Sequence, residues 1–174
     1  MFDQDSRETA HWANEIKRGD VVLFRYPIRN PRAEETPKTR PCLVLEIDER
    51  FGTKRLTLAY GTSVPSSANR GYEIPVTLPD DMRAAGLKRA TRFVGARLLS
   101  VSPDNPGFSL GSRSRSPIIG RLSHNRIERM DWIRARLHAE RDIAAERRGK
   151  RTRNAPTVVR RRRKILAHLP RTAA

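Results

Sequence analysis

The pattern that most constrains this chain is a succession of short β-rich runs, each closed by glycine or proline, followed by one long stretch with helical periodicity. The runs "GDVVLFRYP" (19–27), "CLVLEI" (42–47), "RLTLAY" (55–60), "YEIPV" (72–76) and "TRFVGARLLSVS" (91–102) all read as strands. β-Branched and aromatic residues cluster in them between turn formers. The second and third are joined through "DERFGTK" (48–54) and form a hairpin, with Leu56, Leu58 and Tyr60 on one face and Thr57 and Ala59 on the other. Pro75 cannot donate to a ladder, so 72–76 is an edge strand. Gly95 marks a bend or bulge. "PDDMRAAGL" (79–87) offers one or two helical turns, stopped at Gly86. No long helix alternates with the strands, which argues against a parallel α/β sheet. The expectation is a mainly β fold, a small closed barrel with few helices.

The helical stretch "SHNRIERMDWIRARLHAERDIAAERR" (123–148) has Ser123 at the N-cap position and Ile127, Met130, Ile133 and Leu137 along one stripe. Trp132 points away from that stripe, toward another element or another subunit. The expected division is a loose polar arm (1–15), a barrel with its closing helix (16–145) and a basic tail (146–174). "GKRTRNAP" (149–156) reads as a linker, and 157–169 as a short basic helix that is marginal alone in water.

Charge narrows the partners. The chain carries 36 Lys plus Arg against 19 Asp plus Glu, a net of +17. Residues 146–174 hold 11 basic and one acidic residue, and the rest holds 25 basic and 18 acidic. Such an excess favours a polyanion. The run Arg160, Arg161, Arg162, Arg163 and Lys164 reads as a tail that contacts nucleic acid, DNA included.

Several classes drop out. Neither a signal peptide nor an apolar run long enough for a bilayer is present, so the reading is a soluble, cytoplasmic protein without membrane partners. The single Cys42 allows no internal disulfide and no cysteine metal site, and reads as a small core residue. Of the four histidines (His11, His124, His138, His168), the helical pair is 14 residues apart and cannot meet on one helix. A two-histidine nuclease or a histidine metal site is therefore not expected, and neither a metal nor a cofactor is assigned. Neither a glycine-rich phosphate loop nor a Ser-His-Asp order occurs. Asp80-Asp81 reads as a helix start.

What remains is an ordered set: "GDVVLFRYP", a charged loop over 28–40, "TRPCLVLEI", and "LAYGTS" at a strand end. In that order and spacing the chain resembles the PemK/MazF family of toxin ribonucleases from bacterial type II toxin–antitoxin pairs. "AAGLKRATRF" (84–93) and "IIGRLSHNRIERMDWI" (118–133) resemble that family's later segments, so the resemblance covers about 16–137. It implies an SH3-like barrel, usually a homodimer, bound by an acidic antitoxin. It also implies metal-independent cleavage of single-stranded RNA, including mRNA, through attack of the ribose 2′-hydroxyl. The family's catalytic arginine and threonine fall on Arg40 and Thr62. Arg29, Arg32, Lys38, Ser63 and Arg70 are candidate RNA contacts. The chain departs from the family in having Tyr60-Gly61 before the threonine, and in its arm and tail.

The chemistry suits those residue types. A guanidinium offers a planar fork of donors matched to phosphate, and a threonine hydroxyl adds one more. Taken singly, Arg40 can equally be a strand-flanking cation, and Thr62 an ordinary turn residue. Two other readings stay open: a non-catalytic barrel that binds DNA or RNA, and a gyrase-poisoning toxin of the related CcdB type. The ending "RTAA" lacks the Trp-Gly-Ile terminus of that last type.

Overall fold

The computed structural model describes residues 12–27, 37–112 and 115–153. Six strands form one antiparallel sheet: β1 (Asp20–Arg25), β2 (Thr39–Arg50), β3 (Thr53–Thr62), β4 (Glu73–Val76), β5 (Thr91–Val101) and β6 (Ile118–Arg121). Two helices accompany it, α1 (Pro79–Ala84) and α2 (His124–Arg153). The strand order is β4-β5-β3-β2-β1-β6, and the sheet curls into a half-barrel. Among the described residues β4 and β6 are its two edges, so the expected closed barrel is an open sheet. The chain divides into two compact units, Met1–Glu140, which holds the sheet, and Arg141–Ala174.

The β2–β3 hairpin is longer than its apolar runs suggested. Its two-residue turn, Phe51-Gly52, has φ of 52° and 73°, the left-handed pair that matches the twist of hairpin strands. Alternation then sorts the side chains. Leu56, Leu58 and Tyr60 join Val22, Phe24, Tyr26, Cys42 and Val44 in one buried cluster. Ala59 joins Val21, Leu43, Leu45, Phe93, Met130 and Ile133 in another. Both faces of β2 and β3 are therefore covered, which is why "CLVLEI" is apolar without a break.

The stripe of α2 closes the second cluster: Met130 and Ile133 are fully buried, with Ile127 and Leu137 packed beside them. Gly95 makes that approach possible, because an added Cβ would lie 2.7 Å from Ile133 Cγ2. It also opens the expected bulge. Ala59 pairs with Leu98 while its neighbour Tyr60 pairs with Val94, so residues 95–97 stand out of the ladder. Pro75 sits on edge strand β4. Gly86 ends α1 at φ +66°, close against the Ile119 carbonyl.

Three expectations change. The end of the arm is not loose: residues 12–15 are helical, and Trp12 is 4% exposed. Its ring packs on Phe108, which also contacts Phe24, while Lys54 Nζ donates to the Ala13 carbonyl at 2.7 Å. β6 lies outside the strands expected from the sequence. Three of its four residues pair with β1, Ile119 falling at a bulge, and Arg121 anchors to the buried Asp20 carboxylate at 2.8 Å. Finally, α2 continues through Gly149 to Arg153, so the expected linker begins as helix. Ser123 keeps the N-cap position through its carbonyl, but its hydroxyl donates to Asp81 at 2.6 Å. That bond, followed by Arg126, holds the Asp81 carboxyl below its ordinary range and ties α1 to the start of α2. Residues 154–174, including Arg160–Lys164, lie outside the described residues.

Candidate anion site at the Arg40–Tyr60 end of the sheet

Arg40 is the second residue of β2 and opposes Phe24 of β1. Pro41 restricts both itself and the residue before it to extended backbone, which fixes where the Arg40 side chain leaves the sheet. On the other side β3 ends in Tyr60-Gly61-Thr62. Cys42 pairs with Tyr60 at the end of the β2–β3 ladder, two residues from Arg40 on one strand and two from Thr62 on the other. Gly61 is what lets the strands close here. An added Cβ would lie 2.3 Å from the Pro41 carbonyl oxygen and 3.0 Å from the Phe93 ring. The Tyr60-Gly61 departure is thus a packing requirement of the Arg40-Pro41 step.

Arg40 stacks on an aromatic ring. Its guanidinium carbon is 5.8 Å from the Tyr60 ring centre, and that of Arg97 is 6.0 Å away. Both are within reach of the ring quadrupole. Arg97 belongs to the 95–97 bulge, so the bulge re-aims a cation toward Tyr60. Tyr26 packs against Tyr60 with ring centres 5.3 Å apart. Burial pushes the Tyr26 phenol up to about 12, so it stays a neutral O–H group at physiological pH. Burial likewise pushes the Cys42 thiol up to about 12, against weaker opposing pulls from the Gly61 backbone and Arg40. Cys42 is fully buried and is no nucleophile.

The hydrogen bonding of Arg40 sets it apart. Arg40, Arg92 and Arg134 each have a buried Nε without a hydrogen-bond partner. Arg92 and Arg134 still reach Glu73 at 2.6 Å and Glu46 at 3.1 Å through their terminal nitrogens. Among the described residues no carboxylate pairs with Arg40 or with Arg97. A buried donor left unmade costs about 1–3 kcal/mol, and such a group in a folded protein calls for an explanation.

Thr62 is buried, and its Oγ1 accepts a hydrogen bond from the Val64 N–H at 3.2 Å. Thr62 thus holds its own turn, and among the described residues no acceptor takes its hydroxyl proton. Arg92 fixes the loop beyond it by donating to the carbonyls of Val64 (2.8 Å) and Ser66 (2.7 Å). Ser63 and Lys38 are exposed near the strand ends, whereas Arg70 is exposed in the turn before β4, two residues from Tyr72. Arg29 and Arg32 lie outside the described residues. The residues missed from sequence are Arg97, Tyr60, Tyr26 and Arg92. The only signal for Arg97 was the bulge expected at Gly95.

Among the described residues no group of three His, Cys, Asp or Glu side chains could hold a metal ion, and no helix is long and apolar enough to cross a membrane. No family model and no curated protein sequence matches the chain.

Proposed function

We propose that the protein is an endoribonuclease of the PemK/MazF toxin type, in which Arg40 and Thr62 carry cleavage of single-stranded RNA. The observation that carries this reading is Arg40 itself. It is a guanidinium over the Tyr60 ring that pairs with no carboxylate among the described residues, at the end of the sheet where β3 closes in Thr62. In this reading the six-stranded half-barrel is an SH3-like fold. The ribose 2′-hydroxyl loses its proton to water as its oxygen forms a bond to phosphorus, the P–O5′ bond breaks, the leaving 5′-oxygen takes a proton from water, and the products are a 2′,3′-cyclic phosphate and a 5′-hydroxyl. Arg40 stabilises charge on the phosphorane oxygens, since a group that stays protonated acts mainly by electrostatics. Thr62 donates to a phosphoryl oxygen. Ser63 and Lys38 contact RNA near the strand ends, and Arg29 and Arg32 do so from the charged loop. The partners that go with this reading are a second copy of the chain and an acidic antitoxin, with DNA reached through the basic tail.

A non-catalytic nucleic-acid-binding barrel is the second reading, and one observation favours it: Thr62 already serves its own turn through Val64. The two readings separate on one substrate pair, an RNA and a DNA strand of the same sequence. Catalysis through the 2′-oxygen requires the RNA to be cut and the DNA to be bound uncut. Binding of both with cutting of neither supports the second reading. Thr62→Ala should lower the RNA cleavage rate ~10²-fold, as for loss of one preorganised donor, with little change in binding.

A further inference from the structure

On the other side of the sheet from Tyr60, α2 carries a second group of rings and cations. Arg129, Trp132 and Arg136 follow one another at helical spacing, so they share a face. Trp132 is 51% exposed. The Arg129 guanidinium lies 4.6 Å from its ring centre, and that of Arg136 lies 5.8 Å away. Arg136 is also 4.3 Å from the ring centre of Tyr72, just before β4.

These cations are held in place. Arg129 Nε donates to the Glu73 carbonyl at 3.3 Å. Arg136 donates to the Tyr72 hydroxyl and to Glu140, both at 3.0 Å, while the Tyr72 hydroxyl donates to Glu140 at 2.6 Å. Glu140 offsets the charge of Arg136. Among the described residues no carboxylate offsets that of Arg129.

We propose that Arg129, Trp132, Arg136 and Tyr72 form a docking platform for single-stranded nucleic acid, with Trp132 stacking on an unpaired base and Arg129 taking the adjacent phosphate. The charge is complementary: the ring stands between two guanidinium groups, those of Arg129 and Arg136, rather than among apolar side chains. A cationic patch alone would accept any polyanion. The half-exposed indole adds a surface that only splayed-out bases can use, because bases in a duplex are already stacked. The platform lies apart from the Arg40 site and does not depend on cleavage.

Trp12 is buried, and Trp132 is the other of the two tryptophans. The difference in emission between wild type and Trp132→Phe therefore isolates Trp132. The full-length protein is titrated with a 5′-labelled dT12 oligonucleotide, which lacks the 2′-hydroxyl and cannot be cut through it. Label anisotropy reports binding and tryptophan emission reports contact. The platform predicts that saturating dT12 quenches the Trp132 emission and that inorganic polyphosphate does not. Trp132→Ala should weaken dT12 binding ~5- to 150-fold, the range for loss of one stacked base. Trp132→Phe should keep the affinity within about threefold, because a phenyl ring still stacks. Oligonucleotide binding that leaves Trp132 emission unchanged, or an unaltered affinity in Trp132→Ala, overturns the proposal. So does a protein dimer in sedimentation that shields Trp132 from acrylamide before any oligonucleotide is added.

Discussion

Arg40→Ala should reduce cleavage of single-stranded RNA by at least ~10³-fold while leaving the fold intact. Removing one preorganised donor typically costs 10²–10³ in rate, and an arginine aimed at a reacting phosphoryl group ranges up to ~10⁵. The fold has little to lose. Among the described residues Arg40 pairs with no carboxylate, its Nε is unsatisfied, and its stacking on Tyr60 is one cation–π contact. Such a contact is worth about 0.5–2 kcal/mol at a half-buried site, or a few degrees in Tm. Arg40→Lys should recover little, since a point charge cannot replace a planar fork. Single-turnover kinetics beside a thermal melt checks both halves. A wild-type rate in Arg40→Ala returns the residue to the role of a strand-flanking cation.

Gly61→Ala should damage the protein as much through one methyl group. The added carbon would meet the Pro41 carbonyl at 2.3 Å and the Phe93 ring at 3.0 Å. A backbone oxygen cannot swing aside as a side chain can. Overpacking costs about 1–3 kcal/mol and sometimes more, and the backbone contact puts this case at the upper end, a drop in Tm of roughly 10 °C. Any relaxation must part the ends of β2 and β3, where Arg40 and Thr62 stand, so the folded fraction should also lose cleavage. Gly149→Ala is the control: among the described residues nothing lies within 4 Å of its added Cβ, and alanine favours helix over glycine. A Gly61→Ala protein with wild-type Tm and rate would show that the strand ends are not held as described.

Much of the fold was legible because local patterns carried it. Period-two alternation separated Leu56, Leu58 and Tyr60 from Ala59, Pro75 marked an edge, and the stripe Ile127–Met130–Ile133–Leu137 named the buried face of α2. What escaped depends on partners distant along the chain. Trp12 sits in a polar segment; distant Phe108 takes its ring into the core, and the hairpin residue Lys54 holds the neighbouring Ala13 carbonyl. Ile118–Arg121 is too short, and contains too central a glycine, to read as a strand without β1 beside it. Closure of the barrel was inferred from strand number alone, which cannot say whether the edge strands meet.

The site divides in the same way. Arg40 and Thr62 were legible because they adjoin Pro41 and a strand end, features that sequence displays. Arg97 was not, since its aim depends on how far the Gly95 bulge shifts β5 against β3. Arg92 and Tyr26 act through contacts with the 63–66 loop and Tyr60, which no local pattern announces.

Cleavage of RNA by Arg40 and Thr62 through the 2′-oxygen, without a metal, is tested most directly by incubating the full-length protein with a long single-stranded RNA in excess EDTA and analysing the product ends. The expected result is cleavage undiminished by EDTA, with 2′,3′-cyclic phosphate and 5′-hydroxyl ends. Intact RNA, or cleavage that stops in EDTA and leaves 5′-phosphates, would contradict it.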